Sequence, residues 1–74
     1  MEENKVQAGE YQFFYNPLTT EVFVNQSGAE WEIEIYKHKH FLGSLEINEE
    51  GKIYIIEDVD LKMEKLEEQS YRVL

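Results

Sequence analysis

Residues 30–57 read EWEIEIYKHKHFLGSLEINEEGKIYIIE, and the fold turns on how this stretch is read. Trp31, Ile33 and Ile35 alternate with Glu32, Glu34 and Tyr36. A period of two is the pattern of a strand with one face in a core and the other in water. Asn48-Glu49-Glu50-Gly51-Lys52 suits a type I turn followed by a left-handed glycine, a hairpin that sets Asn48 opposite Lys52. Ile47 then faces Ile53, and Leu45 faces Ile55. His40-Phe41-Leu42-Gly43-Ser44 reads as a second turn of this form, closing His40 on Ser44 and continuing the face of Leu45 and Ile47 to Ile35, Ile33 and Trp31.

Further out, Ser27-Gly28 suits a two-residue loop pairing Gln26 with Ala29, and the single proline, Pro17, marks a turn pairing Asn16 with Thr19. The spacing predicts five strands in one antiparallel meander, at about Glu10–Asn16, Glu21–Gln26, Glu30–His40, Ser44–Asn48 and Lys52–Glu57. Four turns chosen independently collect Tyr11, Phe13, Val22, Val24, Trp31, Ile33, Ile35, Leu45, Ile47, Ile53 and Ile55 on one face, and agreement between local signals is what a foldable sequence shows.

Leu61–Gln69 consists of strong helix formers with Asp60 available as N-cap. A helix over about 61–70 would carry Val59, Met63, Leu66, Ser70 and Val73 toward the sheet, so the expected class is α+β. Val59, Leu61 and Met63 also alternate as a strand would; the alternative is a small all-β barrel with the tail as a sixth strand. Met1–Gly9 is read as a flexible N-terminus and residues 10–74 as a single small domain.

The chain has 74 residues, no cysteine, and 16 acids against 7 bases, a formal charge of −9. No disulfide or thiolate zinc site can staple it. The charge argues against direct contact with nucleic acid or anionic lipid. No apolar run approaches a membrane span, and MEENKVQAGE is too acidic for a signal peptide, so the cytoplasm is the expected compartment. A domain this small is marginally stable, and a protein partner or a homodimer is the natural remedy.

The second face of the predicted sheet carries Gln12, Phe14, Glu21, Phe23, Glu32, Glu34, Tyr36, His38, Glu46, Tyr54 and Ile56. A solvated face would be polar throughout, yet here large apolar side chains alternate with acids. The functional reading is an interaction face of Phe14, Phe23, Glu32, Glu34, Tyr36, His38, Glu46, Tyr54 and Ile56, aromatic anchors among carboxylates. The structural reading is that the sheet curls and these residues form a minor core. Phe41 and Leu42, at a predicted turn tip, are either a contact knob or a cap folded over the core.

His38 and His40 sit two apart, with Glu46 predicted across from His38. A metal site is disfavoured by the flanking lysines and the missing fourth ligand, and a pH-sensitive His38–Glu46 contact is preferred. Ser27, Ser44 and Ser70 lack a base and an oxyanion hole, and paired acids on an open face have nothing to separate their roles. Neither catalytic nor cofactor-binding residues are assigned, and no cofactor is expected. The expected function is a non-enzymatic interaction module that binds a basic protein or a second copy of itself. The alternative is a mimic of nucleic acid that occupies the basic groove of a nucleic-acid-binding protein.

Overall fold

A computed structural model describes residues 3–74 and contains eight strands and no helix. They are β1 (Asn4–Ala8), β2 (Tyr11–Tyr15), β3 (Thr20–Ser27), β4 (Glu30–Lys37), β5 (His40–Ile47), β6 (Ile53–Asp58), β7 (Met63–Glu67) and β8 (Ser70–Val73). They form two four-stranded sheets, ordered β1-β2-β8-β7 and β3-β4-β5-β6. The second contains the last four strands of the predicted five-stranded meander; the first predicted strand, here β2, lies in the other sheet. The first joins the two ends of the chain, with β8 running parallel to β2.

The all-β architecture overturns the α+β expectation. The predicted helix at 61–70 is instead the β7–β8 hairpin, in which Met63 faces Val73 and Glu64 faces Arg72. Its helical stripe does not survive: Val59 is exposed, whereas Ser70 and Val73 are buried. Helix propensity amounts to a few tenths of a kcal/mol per residue. Pairing β8 with β2 satisfies a whole row of backbone groups and places Tyr71 over Phe13, with ring centroids 5.9 Å apart. Tertiary pairing therefore wins. Of the N-terminal segment read as flexible, Asn4–Ala8 forms β1, and Ala8 is fully buried; residues 1 and 2 lie outside the described residues.

The β5–β6 turn follows the sequence reading. Asn48 donates its N–H to the Lys52 carbonyl at 2.9 Å, and Ile47 and Leu45 face Ile53 and Ile55. The β3–β4 loop is Gly28-Ala29, one residue later than predicted, closing Ser27 on Glu30. The β4–β5 turn lies earlier than predicted, at His38-Lys39, and closes Lys37 on His40. Both turn residues have positive φ, 49° and 68°, as a type I′ hairpin requires. A non-glycine residue in that region is strained. Lys39→Gly is therefore expected to stabilise the fold by about 1 kcal/mol, read as a higher urea midpoint; an unchanged or lower midpoint would contradict the strain.

The Asn16–Thr19 turn closes as predicted, with the Thr19 N–H on the Asn16 carbonyl at 3.2 Å. It does not make a hairpin, however, and carries the chain from one sheet to the other. The two sheets enclose one core of Ala8, Phe13, Ile33, Ile35, Leu42, Leu45, Ile47 and Val73. Of the eleven residues predicted to share a face, all but Ile55 lie in this core or pack against it.

Arg72 ties the outer side of the first sheet together. Its Nε donates to Glu3 at 2.7 Å and its Nη1 to Glu64 at 3.2 Å. The hydrogen bond to Arg72, and secondarily its charge, holds the Glu3 carboxyl below its ordinary pKa. A depressed carboxylate pKa contributes stability that is present above the unfolded value and lost as pH falls through the folded one. The stability gap between the wild type and Arg72→Gln is expected to be widest at neutral pH and to close on acidification through that range. Urea midpoints measured along a pH series would show it, and a gap that widens in acid would refute it.

Candidate functional site

The outward face of β3-β4-β5-β6 brings most of the predicted interaction residues together. Successive residues of a strand point to opposite sides, so burying Ile33 and Ile35 obliges Glu32, Glu34 and Tyr36 to point out. Cross-strand register then builds rows: Glu21, Tyr36 and Phe41; Phe23, Glu34, Ser44 and Glu57; Asn25, Glu32, Glu46 and Tyr54.

The first two rows contain a line of aromatic rings. Phe23 meets Tyr36 edge-to-face at 5.6 Å, and Tyr36 meets Phe41 at 5.4 Å. Such pairs contribute about 0.5–1.5 kcal/mol beyond the area they bury. Phe23 nevertheless keeps 51% of its surface exposed, and Ile56 61%.

The third row holds the feature that needs explanation. Glu32 and Glu46 are direct cross-strand partners. Like charges so placed destabilise a sheet by a few tenths to about 1 kcal/mol. No outward position of the four strands carries Lys or Arg, and among the described residues no ion pair involves Glu21, Glu30, Glu32, Glu34, Glu46 or Glu57. Each neighbour along a strand is about 6.6 Å away and each across it about 4.8 Å, so the carboxylates form a dense array. Glu32→Gln is expected to raise stability by about 0.5 kcal/mol at low salt, and by less as salt rises, in urea titrations at two ionic strengths. A loss of stability would mean the pair is not repulsive.

Several predicted members lie elsewhere. Phe14 and Gln12 are on β2 in the other sheet, where Phe14 stands between Lys5 and Arg72, because the Pro17 turn changes sheets. His38 is in a turn, its N–H on the Thr19 carbonyl at 2.8 Å. Glu46 faces Glu32 and Tyr54, so the predicted His38–Glu46 contact is absent. His40 faces Lys37, not Ser44. Phe41 and Leu42 are not a turn tip but lie within β5, where a bulge at Leu42, opposite the step from Ile35 to Tyr36, turns Phe41 out and buries Leu42.

Phe41 and Glu57 belong to the face although the sequence reading left them off it. Each adjoins a bulge, at Leu42 and Ile56, that resets the alternation. The signal available was the run Phe41-Leu42-Gly43, whose glycine marks irregular strand. The described residues contain no group of three His, Cys, Asp or Glu side chains able to hold a metal ion. Nor do they contain a helix long and apolar enough to cross a membrane. Compared with known proteins, the chain matches no family model, no curated protein and no solved structure.

Proposed function

We propose that the protein is a non-enzymatic interaction module whose acidic sheet face stands in for the phosphates of a nucleic acid and occupies the basic groove of a nucleic-acid-binding protein. The observation that carries this reading is Glu32 set directly against Glu46 on a face without a base. A face selected for stability alone would intersperse lysines, as natural sheets do. Repulsion that the fold leaves in place is relieved when a partner brings its own cations. The ladder spacing along β4 is comparable to that of successive phosphates, and the exposed rings of Phe23 and Tyr54 supply apolar anchors between the charges.

The test is competition, on a panel of basic nucleic-acid-binding domains each bound to a labelled duplex. The protein is expected to displace the duplex from at least one, with an apparent affinity that falls steeply with salt. Reversing Glu32, Glu34 and Glu46 together to lysine removes three favourable pairs and is expected to weaken competition about a hundredfold or more. Salt-insensitive binding, or an unaffected triple variant, would sink the reading.

One observation favours a homodimer as a second reading. β6 is an edge strand, and Tyr54, Ile55 and Ile56 expose large apolar side chains beside its unpaired backbone. Two copies of charge −9 repel, so this association would strengthen with salt, opposite to the first reading. Sedimentation at two ionic strengths separates them; a monomer at millimolar concentration in high salt excludes the dimer.

A further inference from the structure

Away from the acidic face, at the end of the sandwich where the β1–β2 and β5–β6 turns approach each other, lies a cavity of about 280 Å³. Trp31 and Tyr11 line it, together with Glu10 of one turn and Glu49 and Glu50 of the other. That volume is smaller than a drug-sized pocket and suits the head of one side chain. The Tyr11 hydroxyl donates to the Gly51 carbonyl at 3.0 Å and ties the two sides of the cavity together, and Gly9 packs on the five-membered ring of the β4 residue Trp31, where an added Cβ would lie 3.3 Å from the indole nitrogen. Trp31 stacks on no other ring among the described residues.

We infer that this cavity binds the guanidinium of an arginine side chain on a protein partner. An indole surface attracts a cation through its quadrupole, most strongly for tryptophan. The three carboxylates fix the sign of the ligand, and the one base beside them, Lys52, reaches Glu50 only at 3.9 Å across solvent. Size selects among cations. The carboxylates belong to no cluster able to hold a metal ion, so a compact ion cannot engage them together. A planar guanidinium lies flat on an aromatic face and offers five donors in its plane, which lets it reach acids on both turns; an ammonium offers a single point charge. The site is separate from the sheet face proposed above and stands whether or not that face engages a groove.

Trp31 is the sole tryptophan, so its emission and its indole N–H resonance report on this cavity alone. Titration of the full chain with N-acetyl-arginine amide is expected to give a saturable change of both signals in the millimolar range, the strength of a single cation–aromatic contact with charge-assisted hydrogen bonds. The citrulline analogue keeps the shape and lacks the charge, and should bind at least about tenfold more weakly. The Glu49→Gln, Glu50→Gln variant alters an exposed turn; it should retain the amide spectrum of the sheets and lose at least about threefold in affinity. No saturable response to the arginine probe, an equal response to citrulline, or an equal response to calcium chloride would each overturn the assignment.

Discussion

Phe13→Ala is expected to cost about 3–5 kcal/mol, the range for truncating a buried phenylalanine. Phe13 is fully buried at the centre of the core, stacked at 18° on Tyr71, and belongs to the strand that bonds to both β1 and β8. The fold has no cavity-tolerant reserve to draw on, since domains of this length have in total about 4–11 kcal/mol. The variant should show a urea midpoint lowered by a third or more of the wild-type value, or no cooperative transition at all. Phe14→Ser, one residue along, is the internal control. Phe14 points outward beside Lys5 and Arg72 and is only half-buried, so about 1 kcal/mol is expected. Equal losses at the two positions would show that the outward side of the first sheet is as tightly packed as the core.

Gly43→Ala is expected to cost about 3 kcal/mol, the upper end of ordinary overpacking. An added Cβ would stand 2.5 Å from the Glu57 carbonyl oxygen and 3.2 Å from the Leu61 Cβ. The first of these is backbone of the paired strand and cannot swing aside as a side chain would. β6 must move off β5, and Gly43 faces Asp58 just where the chain leaves the meander for the other sheet. Relief therefore requires displacing the crossover from β6 to β7 as well. Thermal unfolding of the variant should begin with loss of amide protection in β6 and β7. Protection lost first in β3 would show that Gly43 acts in some other way.

The parts of this fold that were legible in the sequence are those set by local chemistry. Asn48 and Gly51 fixed the β5–β6 register because the asparagine side chain accepts from the N–H groups of Glu50 and Lys52 and the glycine takes a φ of 81°. The inward set of residues was recovered even where the register was wrong. In the Gly28 hairpin, and in the His38 hairpin beyond its bulge, the cross-strand partners are shifted by an even number of positions, which leaves Val22, Val24, Ile33, Ile35, Leu45 and Ile47 on the predicted face. His38-Lys39 escaped notice because neither residue is the glycine or asparagine that positive φ favours, and the alternation runs straight through them.

What was not legible depends on distant partners. Nothing near Ser70–Val73 announces that β2 lies beside it, and Leu61–Gln69 has the composition of a helix. The acidic face follows the same division. Glu21, Glu32, Glu34 and Glu46 could be placed by alternation alone, whereas Phe41 and Glu57 join through bulges and Phe14 leaves because a turn changes sheets.

The parallel pairing of β2 with β8 also governs the order in which the molecule can assemble. Gln12 sits beside Ser70, 58 residues later, whereas every contact in the β3–β6 meander closes through a hairpin. In a folding chain the hairpins of the meander close before β8 reaches β2. Until then β2 has only β1 for a neighbour, and the inner side of the meander is bare. Closing so long a loop is slow, so the arrival of β8 at β2 is what seals the hydrophobic interior, and the folding chain passes through an interval in which it is open to aggregation.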